Sequence, residues 1–67
     1  MKLYVWTEVL WDYTAGMAVA LAPDLETALA ALDKNAGYHL DLPVDKMTAI
    51  DLSGEIEPQA WYVHGGG

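Results

Sequence analysis

The chain has 67 residues, a net charge of −7 and no cysteine. Its only three basic residues are lysines, against ten carboxylates, which excludes the phosphate-neutralising surface of a nucleic-acid binder and a polybasic grip on anionic lipid. Apolar residues make up 54%, too many for a disordered acidic tail, and without cysteine there are no disulfides, thiolate metal sites or cysteine nucleophiles.

A chain this short buries only about 60% of its unfolded surface, so one small domain over residues 1–67 is expected, with a glycine-rich end at 65–67. The first residues, MKLYVWTEVLW, hold no uninterrupted apolar stretch and no small-residue cleavage site. The longest uncharged run, Tyr13 to Pro23, is too short to cross a bilayer. A soluble, cytoplasmic protein is the expectation.

Lys2 to Thr7 alternates, with Leu3, Val5 and Thr7 on one side and Lys2, Tyr4 and Trp6 on the other, and its β-branched and aromatic content predicts a strand. Glu8 to Tyr13 fits either a short helical turn or an extension of that strand. Asp12 to Gly16 reads as a turn, with Gly16 free to take positive φ. Met17 to Ala22 alternates again: Met17, Val19 and Leu21 share one face and three alanines the other, a face that must lie close to something.

The helix signals are local and mutually consistent. Asp24 is an N-cap residue, Glu26 suits the first turn, and Leu25, Ala28, Leu29 and Leu32 recur as a core-facing stripe. Asn35-Ala36-Gly37 is a stop, with Gly37 placed for a left-handed cap. Tyr38 to Leu42 alternates until Pro43. Met47 to Leu52 is a predicted strand, Ser53-Gly54 a turn, and Ala60 to His64 a last strand. The order ββαββ predicts an α+β domain, a small antiparallel sheet packed on a single helix. One helix cannot cover both faces of such a sheet. The far face, taken to carry the alanines with Tyr4, Trp6 and Tyr62, is not fully polar, so a homodimer is expected.

No motif argues for an enzyme. His39 and His64 are the only histidines; His39 and Asp41 fall on one strand face about 7 Å apart. Zinc needs three or four ligands in tight geometry, so exposed polar residues are the plain reading. Ser53 and Thr14 have no neighbouring base, and no phosphate-cradling glycine loop is present. No cofactor, metal or catalytic residue is expected.

Two patterns point instead to binding. Asp41, Asp45, Asp51, Glu55 and Glu57 crowd together around a single lysine, Lys46, and would form a negative surface that attracts basic proteins, beyond keeping the chain soluble. Three tryptophans and four tyrosines with no phenylalanine favour contact surfaces, and Trp11-Asp12-Tyr13 places two anchors beside a carboxylate. Two of the tryptophans are expected in the core and one partly exposed.

MKLYV at the start, ALAPDLETALAALDKNAG where a helix belongs and GGG at the end resemble the ubiquitin-like sulfur carriers and modifiers of the β-grasp class. The resemblance implies that Gly67, reached through Gly65 and Gly66, is activated at its carboxyl end. The stretch EVLWDYTAGMAVALAPDLETA and the ending PQAWYVHGGG resemble small acidic phage-encoded proteins of unassigned role. That resemblance implies a phage-derived inhibitor that occupies the basic, nucleic-acid-binding surface of a host defence protein, contacting neither nucleic acid nor membrane itself. The contact residues would be Trp11, Asp12, Tyr13, Asp41, Asp45, Asp51, Glu55 and Glu57. The alternatives are the carrier acting through its terminal glycine and a scavenger of a small ligand at a homo-oligomer interface.

Overall fold

The alternation that begins at Lys2 continues well past Thr7. In the computed structural model, which describes residues 1–12 and 14–64 (backbone only at 12 and 14), strand β1 spans Lys2–Asp12 and β2 spans Thr14–Ala22. Helix α1 spans Leu25–Ala36, a single 3-10 turn covers Val44–Lys46, and β3 spans Met47–Asp51. The sheet is antiparallel with order β2-β1-β3, so β1 is central. This is the expected α+β class, one helix on a small sheet, with three strands rather than four. Ala60 to His64 forms no strand, because its alternating residues find no backbone ladder to join. Tyr38 to Leu42 is likewise not a strand, although Leu40 and Leu42 are buried as alternation requires.

The strand register decides which face the helix covers. Trp6 lies opposite Ala18 and Met47, and Tyr4 opposite Ala20 and Ala49. Tyr4, Trp6, Ala18, Ala20, Ala22 and Ala28 of the helix form one buried cluster, with Leu25, Leu29, Leu32 and Met47 packed against it. The alanines and the two aromatics therefore lie beneath α1, and the expectation that they form the far face is reversed. Helix and strand approach closely only over small side chains, so the alanine side of β2 is where α1 fits. The opposite face carries Leu3, Val5, Val19, Leu21, Thr48 and Ile50 in register, with no charged residue.

Both predicted helix ends are realised. The Thr27 N–H donates to Asp24 Oδ1 at 2.8 Å, and Gly37 at φ 86° donates its N–H to the Asp33 carbonyl at 2.9 Å.

The second half of β1 is bulged. Register shifts fall between Thr7 and Val9 and between Val9 and Asp12, and Glu8 (φ 57°) and Leu10 (φ 55°) take left-handed conformations. The extra residue at Glu8 turns Val9 onto the helix side, where it joins Tyr4 and Trp6 in the core. Gly16 is not the positive-φ turn residue expected. It sits inside β2 opposite Val9, where a Cβ would approach the Val9 carbonyl oxygen to 3.0 Å and that of Leu10 to 3.2 Å. Glycine suits this position because the bulged strand leaves a side chain only a tight fit against backbone oxygens.

Two substitutions test the backbone assignment with opposite signs. Leu10→Gly relieves a left-handed leucine at an exposed position and should raise stability by up to about 1 kcal/mol. Gly37→Ala meets no neighbouring atom yet should cost about 1 kcal/mol through its φ alone. Urea midpoints of the two variants provide the comparison, and equal signs would contradict the positive-φ geometry.

Candidate functional site

β3 ends at Asp51, whose Oδ1 accepts the Ser53 N–H at 2.9 Å and the Ser53 hydroxyl at 2.7 Å. An aspartate that bonds two residues ahead forces the chain to turn. Glu55, Ile56, Glu57 and Gln59 then line, together with β3, an open groove of about 290 Å³. Asp51, Glu55 and Glu57 stand in its wall with Thr48, Ile50 and Ile56, and no basic side chain does. The Ser53 hydroxyl and N–H hold the Asp51 carboxyl below its ordinary range, helped by the charges of Lys2 and the N-terminus.

Other expected contact residues lie elsewhere. Asp51 is opposite Lys2 at the start of β1, whereas Trp11 is at its end, up to roughly 30 Å away at strand spacing. Trp11 is 68% exposed, and its indole N–H donates to the Glu8 carbonyl at 3.1 Å. The bulge thus presents the ring with its polar atom already satisfied. Asp45 belongs to the 3-10 turn beside this end, where Lys46 Nζ lies 3.5 Å from Glu8 Oε2. Asp41 is exposed between the buried Leu40 and Leu42. The side chain of Asp12, and Tyr13 and Gly65 to Gly67 altogether, lie outside the described residues. The single contact surface expected from sequence is therefore divided: Asp51, Glu55 and Glu57 share one groove, and Trp11 and Asp45 belong to the other end of the sheet.

The tryptophans divide in a similar way. Trp6 is 1% exposed and Trp61 half-buried, while Trp11 stands out. Among the described residues no group of three or more potential metal ligands is present, and no helix is long and apolar enough to cross a membrane.

His39 and Asp41 are both exposed but share no strand face, since residues 38–42 form no strand. The His39 Nδ1 lies 2.9 Å from Asp33 Oδ2, and Asp33 Oδ1 accepts the Leu40 N–H at 2.8 Å. Asp33 thus caps the loop after α1 with its carboxylate while its carbonyl takes the Gly37 N–H. This role has a local signal, an aspartate in the last helical turn upstream of a glycine stop, but the partners lie beyond the helix and only the fold brings them back. The Leu40 N–H, then the His39 ring, hold the Asp33 carboxyl below its usual range, and Asp33 in turn raises the His39 pKa, with Asp41 contributing at longer range.

Comparisons with protein-family models, with curated proteins and with solved structures find no match to this chain.

The clamp has a defined pH window. Stabilisation from His39 is present below the ordinary histidine pKa of roughly 6.5 and is lost as pH rises through its raised folded value. Stabilisation from Asp33 is present above roughly 4 and is lost as pH falls through its lowered value. In an NMR titration His39 should titrate above the free-histidine midpoint, His39 in Asp33→Asn should return towards it, and an unchanged midpoint would break the assignment.

Proposed function

We propose that the chain is a non-enzymatic acidic binding protein that occupies a basic, nucleic-acid-binding surface of a partner protein, as a phage-derived inhibitor of a host defence protein would. The observation that carries this reading is the groove beside β3, whose lining holds three carboxylates and no basic side chain. Carboxylates along an open groove make its potential negative and steer oppositely charged surfaces towards it. Ile50 and Ile56 line the same groove as the carboxylates, so a lysine or arginine side chain would find both a stem contact and a charge partner. The net charge of −7 extends the attraction beyond the groove and repels nucleic acid, which makes the chain a competitor for nucleic-acid sites rather than a ligand of nucleic acid.

Capture of a partner from host lysate on immobilised protein, followed by elution and competition, tests the reading. Bound protein should elute between about 0.1 and 1 M salt, as the Debye length falls from roughly 10 to 3 Å. Added nucleic acid should displace the chain from it. Asp51→Asn, Glu55→Gln and Glu57→Gln together should weaken capture about tenfold, since each rim charge contributes roughly 0.2–1 kcal/mol. Removal of Gly66 and Gly67 should leave capture intact, whereas a carrier that works through its terminal carboxyl would lose all activity. Capture that survives high salt and ignores the three neutralisations would refute the acidic contact.

A further inference from the structure

The outer edge of β2 is the most unusual surface of the sheet. From Thr14 to Ala22 the strand holds no charged residue and no proline, and among the described residues it pairs only with β1. Natural edge strands of this length are normally blunted by lysine, proline or a bulge, because their free N–H and C=O groups are a template for another strand. Beside the edge, Leu21 is 57% exposed and Val19 47% exposed, while Val5, next to Val19 on the same face, is 1% exposed. On the outer face of the sheet, the exposed large apolar side chains are therefore those of β2.

We infer that β2 is a dimerisation edge whose occupant is a second copy of the chain, pairing β2 antiparallel to β2 about a two-fold axis. Two bodies of charge −7 repel wherever carboxylates would face one another, and β2 is a surface on which they can meet without doing so. An antiparallel strand is self-complementary under a two-fold rotation, so the same residues serve both copies. A register with Val19 opposite its own copy sets Leu21 opposite Met17 and merges the apolar outer faces of two sheets into one six-stranded sheet.

Sedimentation equilibrium of the full chain tests this in two arms. In the first, the unmodified protein should weigh twice its chain mass at high concentration and dissociate on dilution. Its dissociation constant should fall several-fold between about 0.1 and 1 M salt, because screening relieves repulsion and the seam holds no ion pair to weaken. In the second, Leu21→Lys reduces the net charge of each chain yet sets an ammonium in the seam, and should raise the dissociation constant at least about tenfold. Tyr62→Lys makes the same charge change at an 88% exposed residue outside the sheet and should leave the dimer as tight or tighter. A monomer at every concentration and salt, a dimer that loosens with salt, or a Leu21→Lys protein as dimeric as Tyr62→Lys would overturn the inference. Circular dichroism checks that Leu21→Lys folds; if it does not, the salt arm on the unmodified chain still decides.

Discussion

The structure depends on a match of large against small side chains between β1, β2 and α1. Tyr4 and Trp6 stack with ring centroids 6.2 Å apart and planes inclined by 27°. Ala18, Ala20 and Ala22 lie opposite or beside them across the strand pair, and Ala28 of the helix is fully buried in the same cluster. Two rings thus occupy volume that four alanines leave free. The indole N–H of Trp6 has no hydrogen-bond partner among the described residues. An orphaned buried N–H costs about 1–3 kcal/mol. Burying roughly 200 Å² of aromatic surface contributes about 5 kcal/mol, so the ring is still better buried than exposed.

The two bulges of β1 follow from the same need to fill the core. Unbroken alternation would send Val9 to the outer face with Leu3, Val5 and Thr7. The left-handed residue at Glu8 turns it inwards beyond Trp6, which extends the cluster towards the hairpin end. Backbone strain of order 1 kcal/mol per left-handed residue is thereby exchanged for a buried valine, whose burial contributes about 1.5–3 kcal/mol. The distorted strand then approaches β2 so closely that a Cβ at position 16 would crowd the Val9 and Leu10 carbonyl oxygens. It also presents Trp11 to solvent with its N–H bonded to the backbone.

What could be read from sequence was what local interactions decide. The bounds of α1 followed from Asp24 and Gly37, whose cap bonds reach only three or four residues. The strands near residues 2–7, 17–22 and 47–51 followed from period-two patterns. Features set across the sheet were hidden. Gly16 resembles a turn glycine in sequence because its real constraint, the Val9 carbonyl, is seven residues away. The face that the helix covers is ambiguous in sequence because both faces of the sheet are apolar, and volume rather than polarity separates them. The alanine stripe marks a face in close contact, and that criterion alone selects the side on which α1 lies. Likewise the acidic residues from Asp41 to Glu57 are near neighbours in sequence, but the 3-10 turn and β3 carry them to different ends of the sheet.

Charge is segregated across the central strand, and this links the two surfaces argued above. β3 has an acidic groove at its side, β2 has no charge at all, and β1 holds them apart. The ten carboxylates could have been spread evenly over the sheet; instead one sheet edge is left bare. Pairing through β2 would leave both β3 grooves open at the outer edges of a six-stranded sheet. Those edges would lie five strand spacings apart, roughly 24 Å, on a rigid body with no linker between them. Two weak acidic contacts held at a fixed separation bind a partner with two basic patches far more tightly than either alone, by raising the effective concentration of the second contact. On this geometry the apolar edge would set how far apart the acidic grooves are presented, so the strength of a salt-sensitive contact would depend on a seam that salt strengthens.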